Sequence, residues 1–226
     1  MLDYYSTEAR QEEIENSIID ELGNRYSQDF QKLLKGVDCT DVSIHPSCTM
    51  ICNDAFRNCR SVHRIIIPNA VTAIGAYAFA GCIMLKSIRI PNSVSDMGIH
   101  AFDGCVGLES AELSCNLSFL PHCAFLNCSS LKTVSIPEGV TVIGKGAFCD
   151  CSSLKSIHLP ESMTGIWHDA FWRTSLESVN IPDHLNMHPE AFAGCFYLKS
   201  VNISKEAYER LGPSYFPRGV HFSMGE

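Results

Sequence analysis

The chain has 226 residues, 46% of them apolar and 19% charged, with a formal net charge of -8 from 25 acidic and 17 basic side chains. That balance excludes disordered and collagen-like chains and provides enough apolar surface for a continuous core. The negative field disfavours nucleic acid and anionic lipid as partners, and no apolar run approaches the ~20 residues of a membrane helix, so neither nucleic-acid binding nor membrane insertion is expected.

From the N-terminus, residues 1–37 carry Ile14, Ile18, Leu22, Tyr26, Phe30 and Leu33 at spacings of four and three, the stripe of an amphipathic helix. Gly23 is expected to split it into two helices and Gly36 to end the second. Packed on the first coil of the region beyond it, this segment predicts a helical cap; a partner-binding or dimerising helix is the alternative. Acidic residues outnumber basic ones here, with no basic start leading into an apolar run, so no secretory signal is visible and a cytoplasmic location is expected. If a signal has been removed, a cell-surface or secreted location is the alternative.

Residues 38–204 are periodic. Ala-Phe recurs at Ala55-Phe56, Ala78-Phe79, Ala101-Phe102, Ala124-Phe125, Ala147-Phe148, Ala170-Phe171 and Ala191-Phe192, at gaps of 23 residues and a last gap of 21. A cysteine stands three residues after the Phe at Cys59, Cys82, Cys105, Cys128, Cys151 and Cys195, with Thr174 as the exception. An L-x-x-I-x-I triplet comes next, as in Leu85, Ile88 and Ile90 or Leu154, Ile157 and Leu159. Its alternation predicts a half-buried strand, which proline (Pro68, Pro91, Pro137, Pro160, Pro182) ends because it lacks an N–H for the ladder. A second inward pair, such as Val71 and Ile74, leads back to the next Ala-Phe, giving one short strand per coil. No coil of this size can enclose its own apolar face, so about eight must stack, with each Phe plugging a coil centre. Cys39, Val42, Ile44, Cys48 and Ile51 supply a degenerate first coil, and the 21-residue gap predicts local tightening without a domain break.

After Ile203, Ser204 is placed to cap a helix over Lys205 to Leu211 that Gly212 and Pro213 close, and Val220 and Phe222 alternate as a final strand. Residues 205–226 thus predict a C-terminal cap. The fold class is an α/β repeat: a right-handed leucine-rich-repeat solenoid with short parallel strands and a helical cap at each end, forming a single structural domain.

The repeating unit I-P-x-x-V-x-x-I-G-x-x-A-F-x-x-C-x-x-L-x-x-I-x resembles the BspA-like class of leucine-rich repeats over about Cys39 to Ser204. Proteins of that class are largely bacterial or protist, often surface-exposed, and serve as binding or adhesion modules. The resemblance therefore implies a non-catalytic protein-protein interaction module, with bacterial adhesion as the alternative.

The coils also order the chemistry-bearing residues. Twelve cysteines, six at one repeat position, predict a buried column of reduced thiols facing backbone carbonyls of their own or the next coil. Parallel side chains on stacked coils do not aim their Cβ atoms at each other as a disulfide needs. The motifs of nucleotide, zinc-protease and serine-hydrolase sites are missing, and no cofactor or metal is expected. His100, His122, Cys123 and Cys149 form the nearest constellation to a metal or nucleophile site, and a cysteine-dependent enzyme is the weakest alternative.

Outward residues offer two candidate surfaces. Beside the strand core, Arg64, Ser87, Ser110, Thr133, Ser156, Ser178 and Ser200 form a nearly uniform hydroxyl floor. Two residues on, Ile66, Arg89, Glu112, Ser135, His158, Asn180 and Asn202 change chemistry from coil to coil, as a selective surface or an ordinary solvated face would. Trp167, which replaces the glycine of other coils, together with His168, Trp172 and Arg173, predicts an aromatic binding patch on the outer curve, with local packing as its rival.

Overall fold

The computed structural model describes residues 7–225. It is a parallel-strand β-solenoid of about eight turns. The predicted strands form the first ladder: Asp41–Ser43, Arg64–Ile66, Ser87–Arg89, Ser110–Glu112, Thr133–Ser135, Ser178–Asn180 and Ser200–Ser204. Register is set by the period, so Ala111 stands opposite both Ile88 and Val134. Ile88 and Ile90 are buried and Arg89 is exposed, as the alternation requires. This ladder runs in three pieces, and residues 156–158 form no strand although Ile157 remains in the core.

Each coil contributes a second strand as well, which corrects the expectation of one. Met50–Ile51, Ala73–Ile74 and Asp96–Met97 pair in parallel, as do Phe119–Leu120, Val142–Ile143, Gly165–Ile166 and Asn186–Met187. The reason is backbone satisfaction: Ile74 enters the core on an extended segment whose amides need partners, and only the adjacent coil supplies them. Thr72 N donates to Thr49 O at 2.8 Å and Gly75 N to Ile51 O at 2.7 Å.

Down the centre run the phenylalanines. Phe56, Phe79, Phe102, Phe125, Phe148, Phe171 and Phe192 are fully buried. Neighbouring rings lie 5.1 to 5.6 Å apart and within 13° of parallel. A strand spacing of about 4.8 Å brings rings to this separation when they slide into the offset arrangement that aromatic quadrupoles favour. Phe171 and Phe192 keep 5.1 Å across the shortened gap, so the missing residues are absorbed outside the file.

The thiol column secures the same turn. From the second onward, the column cysteines donate to the carbonyl of the Phe one coil earlier: Cys82 to Phe56 at 3.2 Å, Cys105 to Phe79 at 3.1 Å, Cys128 to Phe102 at 3.1 Å, Cys151 to Phe125 at 3.2 Å and Cys195 to Phe171 at 3.0 Å. The carbonyl's other lone pair takes the amide of its own coil's cysteine, as with Cys105 N to Phe102 O at 3.2 Å. Thr174 departs from this pattern: its hydroxyl donates to Phe171 O of its own coil at 2.9 Å, not to Phe148 O one coil earlier. All twelve cysteines are unpaired.

The ends depart from the helical caps expected of residues 1–37 and 205–226; residues 1–6 and 226 lie outside the described residues. Among the described residues, α-helix at the N-terminal end is confined to Gln11–Glu15. Ile18–Ile19 then pairs antiparallel with Arg25–Tyr26, which pairs with Lys32–Lys35, and that strand joins Met50–Ile51 in parallel. Two aspartates override the helical spacing by closing turns: Asp20 Oδ1 accepts from Leu22 N and Asn24 N, each at 2.9 Å, with Gly23 at φ 98°, and Asp29 Oδ1 accepts from Ser27 Oγ at 2.6 Å and Gln31 N at 3.1 Å. The apolar stripe is accordingly not one buried face, since Tyr26 and Leu33 are buried while Ile14 and Leu22 are exposed. Gly36 stops no helix; a Cβ there would sit 1.9 Å from the Phe56 ring.

At the other end Lys205–Leu211 is helical, with Ser204 Oγ accepting from Ala207 N at 3.1 Å and Gly212 ending it at φ 77°. His221–Gly225 pairs in parallel with Ser200–Ser204, and the Phe216 ring continues the file 5.7 Å from Phe192. Closure here combines strand and short helix, and no helix among the described residues is long and apolar enough to cross a membrane.

Removing a ring from the middle of the file should cost more than removing a thiol beside it. Phe125→Ala is expected to lose about 3–5 kcal/mol and Cys128→Ala about 1 kcal/mol in urea unfolding followed by circular dichroism. Equal losses, or a Phe125→Ala loss under about 1 kcal/mol, would contradict the description of the core.

Candidate protein-binding surface

The first-ladder column is fully displayed. Ile66, Arg89, Glu112, Ser135, His158, Asn180 and Asn202 are all exposed in successive coils. Their contacts are weak: Arg89 Nε lies 3.5 Å from Glu112 Oε1 with side chains 78% and 60% exposed, and His158 Nε2 lies 3.7 Å from Glu138 Oε1. Pairs so exposed contribute at most about 1 kcal/mol. Apart from Ile66 the column lacks an apolar anchor, so it can select by polarity but offers little area to desolvate.

Trp167 provides what the column lacks. It occupies the coil position of Gly75, Gly98 and Gly144, and Gly165 leaves the surface beside the indole without a side chain. The indole lies back across that surface, 5.0 Å from the His122 ring and 6.4 Å from Phe119 two coils earlier. It remains 48% exposed. Burial, then Lys145, pulls the His122 pKa down, so His122 presents a neutral ring to the indole near pH 7; its Nδ1 accepts from Lys145 N at 2.8 Å. Trp167, Val142, Met187, Pro189, His168 and His188 line a groove of about 590 Å³.

The predicted aromatic patch divides here. Trp167 and His168 belong to the groove, whereas Trp172 is half-buried beneath Arg173, whose guanidinium carbon is 4.9 Å from the indole centroid. Arg173 Nε is also 3.6 Å from Asp150 Oδ1. The two tryptophans make their contacts with different neighbours, one on either side of Ala170-Phe171.

The cysteine-histidine constellation does not assemble. His100 Nδ1 is 3.0 Å from Asp103 Oδ2 and its ring stacks on Tyr77, while His122 packs on Trp167. Cys123 Sγ points to Lys145 O at 3.7 Å and Cys149 Sγ to Asp150 Oδ2 at 3.5 Å. Burial pushes the Cys123 thiol up and the Cys149 thiol up to about 12, opposite to the depression that activates a nucleophile.

Two features escape the repeat reading. Phe196 and Tyr197 stand 84% and 62% exposed directly after Cys195, where other coils carry Ser129-Ser130 or Ser152-Ser153; that contrast was available as a signal. His168, His188 and Glu190 also converge, with ligand-type atoms within 4.8 Å of one another. The shortened gap hides their register, because His188 aligns with Trp167 and Glu190 with Asp169 only when 21 residues are counted instead of 23.

Comparison with known proteins places these features in context. A family model described as the BspA type leucine rich repeat region matches in 6 copies over residues 31–133 and 120–218. A leucine-rich repeat protein from Eubacterium ventriosum is similar at 23% identity and a TM-score of 0.75, over 79% of this chain and 50% of that one. A leucine rich repeat protein from T. pallidum is similar at 24% identity and a TM-score of 0.72, over 91% and 96% of the two chains. One from Bacteroides ovatus gives 24% identity and a TM-score of 0.51, over 85% and 68%. These likenesses show the fold, and the chain spans half the length of the Eubacterium ventriosum protein. No curated protein matches the sequence.

Thiol chemistry checks the burial pattern. A thiol reagent at neutral pH is expected to label only Cys115, Cys39 and Cys123 quickly, the three that are not buried, and all twelve in denaturant. Burial raises Cys48 and Cys195 to about 11 and Cys52 to about 12 from an ordinary 9.0. The unfolded chain therefore releases these protons from about pH 9 while the folded chain holds them to about pH 11 or 12, so stability present below pH 9 falls as pH rises through that window. A flat stability profile from pH 8 to 11, measured by urea midpoints, would contradict it.

Proposed function

This chain belongs to the BspA-type leucine-rich repeat family, and from that premise we propose that it is a non-catalytic protein-protein interaction module whose principal anchor site is the groove beside Trp167. Leucine-rich repeat proteins as a class bind protein partners. The observation that carries the choice of site is the indole itself: half exposed, held by neighbouring rings, and bordering an apolar groove. An aromatic side chain already ordered loses little rotamer freedom when a partner covers it, which is the physical reason tryptophan dominates interface hot spots. The varied first-ladder column is proposed to supply selectivity around that anchor, since its polar groups sit on a backbone that cannot shift register.

Non-catalysis is supported by the thiols, which are buried and raised in pKa where a nucleophile needs the reverse. The twelve unpaired cysteines support a reducing compartment, hence a cytoplasmic location in preference to a cell surface.

Binding should discriminate among surface variants. With a partner recovered from the native source and titrated in purified form, Trp167→Ala is expected to weaken binding by about 30-fold, the scale of a 2 kcal/mol hot spot, and Arg89→Ala by less than about fivefold. Equal affinity of wild type and Trp167→Ala would overturn the groove as the anchor.

A further inference from the structure

We propose that His168, His188 and Glu190 form a binding site for a divalent transition-metal ion of the zinc class on the rim of the Trp167 groove, with Asp169 as the residue that orients His168. Two imidazoles and one carboxylate are a sufficient donor set for such an ion, leaving a fourth position for water or for a side chain of a bound protein. The donors come from adjacent coils at places where the backbone is held. His188 N donates to Ile166 O at 2.8 Å, and Ala191 N donates to His188 O at 2.9 Å. The loops that carry the donors are thus fixed by the ladder and by the start of the Phe192 turn.

Side-chain geometry points the same way. His168 Nε2 lies 2.7 Å from Glu190 Oε2, and the His168 and His188 rings are 4.7 Å apart at 44°. On its other edge His168 Nδ1 is 2.5 Å from Asp169 Oδ2. The contact lacks hydrogen-bond geometry as it stands, and a turn of the ring on ligation brings it to the arrangement a metal-bound histidine ordinarily has, in which a carboxylate keeps the proton on Nδ1 and aims the Nε2 lone pair at the ion. The carboxylates of Asp169 and Glu190 therefore bracket His168 from both edges, and an ion between Nε2 and Glu190 would neutralise the excess negative charge that a neutral imidazole leaves uncompensated. Bond lengths of about 2.0–2.2 Å in a tetrahedral site separate the donors by roughly 3.3 Å. Glu190 and His188 are exposed, so rotation of their side chains reaches that spacing without disturbing the coils. His188 Nδ1 accepts from Glu190 N at 3.2 Å, and ligation through either ring nitrogen exchanges this long bond for one to the ion.

A competing account is a plain ion pair, with a protonated His168 shared by two carboxylates and no affinity for metal. Calorimetric titration of the reduced full chain with zinc, and optical titration with cobalt, separate the two. The expected result is one ion per chain, with His188→Gln and Glu190→Gln each weakening binding by more than about 100-fold, beyond the roughly 10- to 100-fold that Asp169→Asn should cost as an outer-shell change. These side chains are on the surface and asparagine tolerates the left-handed backbone at Asp169 (φ 56°), so circular dichroism should show an unchanged fold. The cobalt spectrum should lack the sulfur-to-metal charge-transfer band that a cysteine site would give. No stoichiometric binding, equal binding by all variants, or an intense thiolate band would each overturn the assignment.

Discussion

The fold depends on a contact between coils that involves a ring, a carbonyl and a thiol. Each phenylalanine stacks on the next in the centre of the solenoid, and the carbonyls of Phe56, Phe79, Phe102, Phe125 and Phe171 each accept both their own coil's amide and the thiol of a following coil. A buried carbonyl left without partners would oppose stacking by a few kcal/mol, so thiol and ring act together: the ring gains from burial only in a turn whose polar groups are satisfied. Where Thr174 stands in the cysteine position its hydroxyl turns to Phe171 O of its own coil, and Phe148 O accepts Cys151 N without a thiol from the following coil, so the file tolerates one missing thiol link. The file also passes through the shortened gap unbroken, which identifies it as the element the rest of the chain accommodates.

Most of that organisation is legible in the sequence, because a solenoid repeats its packing problem every 23 residues and so repeats its answer. Phase, first ladder, buried thiols and ring file all emerge from aligning Ala-Phe. What is not legible is whatever lies below the resolution of a period. Two-residue strands such as Ala73–Ile74 are too short to show alternation, and they arise from backbone pairing between coils. The N-terminal stripe fails for a different reason: Ile18, Tyr26 and Leu33 fall at helical spacings, yet Asp20 and Asp29 close turns between them, and the free edge of Met50–Ile51 offers a ladder that an isolated helix would leave unpaired.

The candidate site is legible to the extent that it departs from the repeat. Trp167 is conspicuous as a bulky residue in a glycine position, and its indole lies beside the side-chain-free Gly165 and reaches back to Phe119. Its grouping with Trp172 divides, because the Trp167 indole meets His122 and Phe119 while Trp172 lies beneath Arg173. His188 and Glu190 are hidden by the same deletion that brings them beside His168, since a strict 23-residue count places them two positions out of line. The shortened coil thus gathers the groove and the histidine cluster in one place, which is why both functional readings converge on it.

Native-state hydrogen exchange on the phenylalanine amides tests the central claim most directly. Phe79, Phe102, Phe125 and Phe148 each donate to the alanine carbonyl of the following coil at 2.8 Å. If the ring file holds the coils together, these four amides exchange only through the largest opening of the chain, at one shared and slow rate. Exchange as fast as that of the exposed loops, or at four unrelated rates, would show that the coils do not depend on a common spine.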